Sequence, residues 1–234
     1  MEKMRFSISS SPHIRQSQTV QSIMRDVVIA LIPTAIYGVI QFGYQAALVM
    51  LSGVAGAVLT EFVGNKLTGR PVTVTDFSAI ITGLILAMCC PAYVPLWVPF
   101  IGSVFAIAIG KLPFGGLGQN FLNPALVGRA FLLASWPALM THWAPADAVS
   151  AATPLAAYKA TGAMASYGDL FFGNIPGCIG EVSKLCILIG AAYLLLRHVI
   201  TLATPIGYLG GLALMIFAFG GQDGLFTGDA LFAI

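Results

Sequence analysis

The chain has 234 residues, of which 58% are apolar and only 9% are charged, and its formal net charge at pH 7 is +2. A soluble domain carries about 25% charged residues, and a domain of this length cannot bury nearly all of its apolar surface in water. The composition therefore predicts an integral membrane protein, and the near-neutral charge gives no indication of a nucleic-acid partner.

Two long segments without Asp, Glu, Lys or Arg, residues 27–60 and 77–110, dominate the first half of the chain. A spanning helix needs about 20 residues, so each segment predicts two spans joined by a turn. The turns fall around Gln41-Phe42-Gly43 and within Pro91-Ala92-Tyr93-Val94-Pro95, where proline disfavours helix. The expected helices lie near 26–42, 45–64, 77–91 and 96–110.

Further apolar segments follow in the second half. Residues 122–140 predict a fifth span, and residues 180–197 and 200–219 predict a sixth and a seventh. The apolar, uncapped ending 229–234 predicts the start of an eighth helix of a longer native chain. The expected protein is an all-α, polytopic membrane helical bundle with four regions: a cytoplasmic arm (1–25), a first bundle (26–140), an extracytoplasmic loop (141–179) and the start of a second helical half (180–234).

Lys and Arg are distributed unequally between the two ends of these predicted spans. If successive helices alternate in direction, the positive-inside rule places the N-terminus in the cytoplasm and the loop 141–179 outside. The cytoplasmic side then carries Lys3, Arg5, Arg15, Arg25, Lys66, Arg70, Lys111, Arg197 and, if it reaches that way, Arg129, and the outer side carries Lys159 and Lys184.

The four cysteines do not form a metal-binding motif. Cys89 and Cys90 are adjacent, Cys178 and Cys186 are eight positions apart, and no Cys-x-x-Cys occurs. We expect all four to be buried small residues and expect no metal site made by this chain alone. A half-site completed by a neighbouring protein stays open.

Two acidic residues stand beside the predicted spans. Glu61 lies near the end of the second span, and an ionisable group at membrane depth marks a functional site by default. Its carboxylate either anchors at the interface near Lys66 or belongs to an ion or proton pathway, which makes Glu61 an ion-pathway candidate. Asp76 follows Thr75 and precedes an apolar run, so helix capping is its expected role.

A segment rich in glycine and asparagine precedes the fifth span. Gly116 and Gly118 can adopt backbone conformations that other residues avoid, and Asn120 and Asn123 flank a helix entry with Pro124 in the first turn. Side-chain amides and free helix N–H groups at such an entry can form a polar pocket for an ion or a ligand. They can equally cap a tight connection, and the sequence leaves both open.

The predicted outer loop contains a threonine among small residues, in Ser150-Ala151-Ala152-Thr153-Pro154-Leu155. An enzyme that modifies a hydroxyl group needs an accessible, slim peptide around it, and a threonine hydroxyl can carry a phosphodiester to a nucleotide. The composition alone also fits an ordinary loop.

Taken together and in this order, these segments resemble the RnfD component of the Rnf complexes and, more distantly, the NqrB component of the sodium-pumping NADH:quinone reductase. The resemblance covers essentially the whole chain and implies a fold of about ten helices in two inverted halves. This chain would hold the first half and the start of the second. The resemblance is carried by Gly115-Gly116-Leu117-Gly118-Gln119-Asn120-Phe121-Leu122-Asn123-Pro124-Ala125, by Gly128-Arg129-Ala130-Phe131 and by the flavinylation motif Ser150-Ala151-Ala152-Thr153.

The resemblance implies an electron-transfer subunit, not catalytic alone, of an ion-translocating ferredoxin:NAD oxidoreductase in a bacterial inner membrane. It implies FMN joined through its phosphate to Thr153, with Ser150, Ala151 and Ala152 as the flank that a flavin-attaching enzyme recognises. The implied partners are membrane lipid, other Rnf-type subunits, including a second one with covalent FMN, and Na+ or H+.

The resemblance also implies a non-covalent riboflavin within the helices of related proteins. Its candidate contacts here are Gly116, Gly118, Asn120, Asn123 and Arg129, which are also candidates for an ion path. Since fold does not fix function, two alternatives remain. One is a small-solute or ion channel or transporter of urea-transporter-like fold, and the other is a scaffold that only docks redox partners.

Overall fold

The computed structural model describes residues 19–142, 157–158 and 166–219, and every regular element within these ranges is helical. The prediction of an all-α protein is confirmed. Short 3-10 turns occupy Val74–Asp76 and Leu112–Phe114. The α-helices are α1 (Val20–Phe42), α2 (Tyr44–Leu67), α3 (Ser78–Met88), α4 (Trp97–Gly110), α5 (Pro124–Ser135), α6 (Pro137–Met140), α7 (Tyr167–Phe172), α8 (Lys184–Leu196) and α9 (Ala203–Phe219).

The first helix begins at Val20 and not near residue 26. Thr19 caps it, because the Thr19 hydroxyl accepts from the Ser22 amide at 3.2 Å and the Thr19 amide donates to the Ser22 hydroxyl at 3.1 Å. This reciprocal capping box fixes the helix start locally. Residues 20–25, which were predicted to belong to the arm, therefore belong to α1.

Three helical stretches in the described ranges are long and apolar enough to cross a bilayer: α1 with 23 residues, α2 with 24, and Trp97–Phe114 with 18. Helices α3, α5, α8 and α9 are shorter, at 11, 12, 13 and 17 residues. A full span needs about 20 residues, so the predicted number of seven spans stays a prediction. A helix that ends within a membrane must still satisfy its terminal backbone groups.

Glycines bring the central helices α2, α3 and α4 into close contact. A Cβ added to Gly83 would lie 2.5 Å from the Gly53 carbonyl oxygen, and one added to Gly53 would lie 2.8 Å from the Gly83 carbonyl oxygen. Small residues permit this approach, on which membrane helix packing depends. The apolar core around this contact is fully buried and includes Val49, Leu86, Val98, Ala106 and Leu132.

Hydrogen bonds between distant residues show which helix ends meet. Gln21 at the start of α1 donates to the Thr75 carbonyl oxygen at 2.9 Å, and Arg70 after α2 donates to the Leu112 carbonyl oxygen at 2.9 Å. Arg197, after α8, pairs with Asp26 at 3.1 Å. The start of α1 and the ends of α2, α4 and α8 thus share one end of the bundle, which we call the basic end. Arg70, Lys111 and Arg197 therefore lie together at the basic end, as predicted for these three, and which side of the membrane the basic end faces stays a prediction.

The outward surface of the bundle is strongly apolar. Along α1, the exposed side chains include Ile29, Ile32, Ile36 and Ile40, with Ile40 74% exposed. Within Ala203–Phe219, only Ala218 is buried. An apolar surface of this extent is expected where lipid covers a protein.

Candidate functional site

The basic end contains a buried ion pair between α2 and α4. The Lys111 ammonium lies 2.8 Å from Oε1 of Glu61, and the two side chains are 3% and 1% exposed. Lys111 follows directly after α4, while Glu61 lies in the last two turns of α2. A buried pair of charges needs further hydrogen bonds to offset its desolvation.

Thr73 and Ser78 supply those hydrogen bonds, and Asn65 and Asp76 in turn bond to these two side chains. Thr73 donates to Glu61 Oε1 at 2.7 Å, and Asn65 donates to the Thr73 hydroxyl at 3.0 Å. On the other side, Lys111 donates to the Ser78 hydroxyl at 2.5 Å, and that hydroxyl donates to Asp76 at 2.5 Å. The result is a continuous polar network from Asn65 to Asp76.

Asp76 also accepts from the Ser78 amide at 2.8 Å, so its expected capping role at the start of α3 is confirmed. The short distance between the two residues in the chain made this contact predictable. The same carboxylate holds the Ser78 hydroxyl in position for Lys111, and that second contact has no local sequence signal.

The Glu61 side chain is buried and is directed at Lys111 and not at Lys66, which is its neighbour in sequence. Its second oxygen, Oε2, is also buried and has no hydrogen-bond partner among the described residues. A buried carboxylate oxygen left unpaired is costly, so Oε2 can accept from a water molecule or contact a cation. The ion-pathway hypothesis for Glu61 stays a prediction.

The glycine-rich connection after α4 adopts the backbone that its composition predicts. Gly116 and Gly118 have φ angles of 104° and 84°, which side chains rarely adopt. Asn123 is exposed and its side chain accepts from the Ala125 amide at 3.0 Å, so it caps α5. The side-chain oxygen of Asn120 is buried without a partner in the described part of the chain.

These residues are suited to hold a polar group of a ligand. No atom lies within 4 Å of the position of an added Cβ at Gly116 or Gly118, so the backbone there is open to close approach. The unpaired oxygen of Asn120 supplies an acceptor in the same connection. Asn123, in contrast, already uses its side-chain oxygen within the fold.

Arg129 is placed differently from the two asparagines. It lies on α5 about 9 Å further along the helix axis than Asn123. Its guanidinium lies near enough to Cys89, Cys178 and Glu181 to interact with them electrostatically. The structure therefore does not bring Arg129 to the same contacts as Asn120 and Asn123, and a shared pocket for these residues stays a prediction.

The cysteines at the end of α3 form contacts that the sequence did not reveal. Cys178 donates through its thiol to the Cys89 carbonyl oxygen at 3.1 Å. The Ile179 amide donates to the Cys90 carbonyl oxygen at 3.3 Å, and the Gly180 amide donates to the Met88 carbonyl oxygen at 2.8 Å. Three consecutive residues thus satisfy three consecutive carbonyl groups at the end of a helix.

The cysteines are less uniform in burial than expected. Cys90 and Cys178 are buried, whereas Cys89 and Cys186 are only partly buried. Cys89 and Cys178 also line one apolar cavity of about 390 Å³ between α1, α3 and α8.

The predicted flavinylation motif, Ser150, Ala151, Ala152 and Thr153, lies outside the described residues. Among the α-helices named above, α6 is followed by α7, which leads through residues 174–183 to α8. Residues 178–180 contact the end of α3, so this segment lies at the end of the bundle opposite the basic end. Flavin attachment at Thr153 stays a prediction.

Comparison with known proteins identifies the family. Residues 7–234 match the model of the NQR2, RnfD, RnfE family. The chain is 48% identical over 231 residues to the D component of the Na(+)-translocating ferredoxin:NAD(+) oxidoreductase complex of Acetobacterium woodii, covering 95% of this chain and 72% of that protein. It is 43% identical over 242 residues to the D component of the proton-translocating ferredoxin:NAD(+) oxidoreductase complex of Clostridium ljungdahlii, covering 97% and 73%.

A third relative is the D component of the ion-translocating oxidoreductase complex of Rhodobacter capsulatus. It is 36% identical over 239 residues, covering 87% of this chain and 67% of that protein. The match to the family model extends over nearly the whole chain, including α1 to α9 and the segment that contains Thr153. This chain therefore belongs to the NQR2, RnfD, RnfE family.

Proposed function

We propose that this chain is the electron-carrying RnfD-type membrane component of an ion-translocating ferredoxin:NAD(+) oxidoreductase complex in a bacterial inner membrane. The observation that carries the proposal is the identity of 43–48% to two proteins named as the D components of such complexes, over more than nine-tenths of this chain. The protein acts only together with the other subunits of the complex, one of which carries its own covalent FMN.

The coupling ion is Na+ or H+. The relative that is 48% identical is named Na(+)-translocating, and the relative that is 43% identical is named proton-translocating. So small a difference in identity does not favour one ion. Glu61 is the proposed contact on the ion path, and its support is the buried carboxylate oxygen that no described residue pairs.

Thr153 is the proposed attachment point of FMN, through a phosphodiester to its hydroxyl group. The motif Ser150-Ala151-Ala152-Thr153 supports this assignment by its small side chains, which leave the hydroxyl accessible to a flavin-attaching enzyme. FMN supplies one- and two-electron chemistry when bound, and the chain supplies its tether and orientation. A covalent tether matters on an outer surface, because a flavin that dissociated there would be lost.

A second, non-covalent flavin is proposed to contact Asn120, Gly116 and Gly118. The support is the unpaired Asn120 oxygen and, a few residues earlier in the same connection, glycine backbone that is open to close approach. Asn123 would contribute by capping the start of α5. Arg129, which lies further along α5, would contact the flavin from a different direction than Asn120.

The covalent flavin is tested by in-gel fluorescence of denatured protein that has been co-expressed with a flavin-attaching enzyme. Wild type and Thr161→Ala, which alters another threonine of the same loop, are expected to give fluorescent bands. Thr153→Ala is expected to give a dark band. If all three bands are dark while the enzyme labels a control substrate, the flavin assignment is wrong and a channel or scaffold role gains support.

A further inference from the structure

We propose that Cys89 and Cys178 form a redox-sensitive dithiol, which oxidises to a disulfide that joins the end of α3 to the segment before α8. No part of the proposed electron-transfer function uses these two thiols. The formation of the disulfide can therefore be tested whether or not the chain carries flavin.

The backbones of the two cysteines lie side by side. The Cys178 sulfur is 3.1 Å from the Cys89 carbonyl oxygen. Hydrogen bonds from Ile179 to Cys90 at 3.3 Å and from Gly180 to Met88 at 2.8 Å hold the two segments together next to this contact. A disulfide needs Cα atoms within about 7 Å, and a pairing of this kind provides such proximity without a large movement of either segment.

Cys89 and Cys178 border a common space, the cavity of about 390 Å³ between α1, α3 and α8. Cys89 is partly exposed, so a small oxidant that enters the cavity can reach it. The resulting adduct at Cys89 would then be attacked by the sulfur of the neighbouring Cys178.

The other two cysteines are poorly placed to compete. Cys90 is 0% exposed, and its thiol donates to the Leu86 carbonyl oxygen at 3.4 Å, one turn back in the same helix. Cys186 lies on α8, where its neighbour is Tyr37 of α1. The geometry therefore selects Cys89 and Cys178 from the four thiols.

The oxidation is a two-electron step. The S–H bonds of Cys89 and Cys178 break, one S–S bond forms, and two protons and two electrons leave. An acceptor disulfide would take them and become two thiols. In a laboratory test, the azo compound diamide takes them and becomes a hydrazine.

Oxidation would change a contact at this end of the bundle, because the Cys178 thiol would no longer donate to the Cys89 carbonyl oxygen. A covalent link would bridge a sequence separation of 89 residues and fix the segment before α8 to the end of α3.

On the orientation proposed above, this end of the bundle faces the extracytoplasmic side, where disulfides persist. The expectation that the disulfide persists in the cell rests on the proposed function, because it depends on this orientation. A disulfide that forms in the purified chain would stand even if Thr153 never carried flavin.

The test uses the purified full chain in detergent, treated with diamide, denatured and alkylated with N-ethylmaleimide. We expect the oxidised wild type to show two alkylated thiols of its four, and reduction before alkylation to restore all four. Peptide mass spectrometry is expected to find a peptide with Cys89 linked to a peptide with Cys178. The matched control Cys90→Ser should still form the link, whereas Cys89→Ser and Cys178→Ser should not.

Wild type that keeps four alkylated thiols after diamide would overturn the proposal. So would a link that contains Cys90 or Cys186. Because the wild-type chain alone gives this answer, the proposal remains falsifiable even if a variant fails to fold.

Discussion

The Lys111 ammonium lies 2.8 Å from the Glu61 carboxylate, although 50 residues separate them in the chain. The pair lies at the basic end of the bundle, where it joins the end of α4 to the end of α2. Both side chains are almost fully buried, so neither charge is solvated by bulk water. The two residues therefore depend on each other in a way that surface ion pairs do not.

We expect Lys111→Met to lower the free energy of unfolding by about 3–5 kcal/mol, because it leaves the buried Glu61 charge without its partner. The double variant Glu61→Gln/Lys111→Met removes both charges and should recover most of that loss. Thermal unfolding in detergent, followed by circular dichroism, measures the difference. Equal losses in the single and double variants would show that the pairing of charges is not what stabilises this end.

Replacement of Gly83 by alanine is expected to destabilise the bundle by about 1–3 kcal/mol through overpacking. The added Cβ would lie 2.5 Å from the Gly53 carbonyl oxygen, so α2 and α3 would have to separate. Gly210→Ala is the matched control, since no atom lies within 4 Å of its added Cβ, and it should leave stability unchanged or raise it by up to about 1 kcal/mol. A Gly83→Ala protein as stable as Gly210→Ala would contradict the close contact of α2 with α3.

Asn123→Ala is expected to cost about 1 kcal/mol, the usual value for the loss of a helix N-cap. Asn123→Asp keeps an acceptor for the Ala125 amide and should remain close to wild type. The unfolding midpoints of the three proteins in the same detergent provide the comparison. If Asn123→Ala proves as stable as wild type, the hydrogen bond to Ala125 does not contribute to the start of α5.

Cys178→Ala should destabilise the chain by about 1–3 kcal/mol, because the Cys89 carbonyl oxygen at the end of α3 would lose its thiol donor. Cys178→Ser retains a donor of similar size and should lose less. Hydrogen exchange of the α3 amides, measured for both variants, locates the effect. Exchange that is faster in α8 but unchanged in α3 would contradict a capping role.

Much of the helical architecture could be predicted because its signals are local. The two charge-free segments, with breaks near Gly43 and Pro91, placed the end of α1 and both ends of α2, α3 and α4 within a few residues. The positive φ angles of Gly116 and Gly118 and the contact of Asp76 with Ser78 follow from the same kind of short-range chemistry. The start of α1 also has a local sequence signal, the reciprocal capping pair of Thr19 and Ser22. The charges of Arg25 and Asp26 moved the predicted start of the helix to residue 26.

The partners of the ionisable and sulfur-containing residues could not be predicted in this way. Glu61 has a cationic neighbour in sequence, Lys66, but pairs with Lys111, because buried charges are satisfied by whatever the helix packing brings near them. Arg129 lies close to the asparagines in sequence, yet the groups that interact with it electrostatically are Cys89, Cys178 and Glu181. Such contacts depend on how packed helices are rotated relative to one another, and a single sequence does not reveal that rotation.

The cap on α3 has a consequence for how this protein is made. The carbonyl groups of Met88, Cys89 and Cys90 receive their donors from residues 178–180, which the ribosome synthesises about ninety residues later. Until those residues emerge, the nascent α3 end must find other donors, such as water in the insertion channel or headgroups at the bilayer edge. The first five helices can therefore enter the membrane early, but they reach their final arrangement only after residues 178–180 have been synthesised and have reached the end of α3.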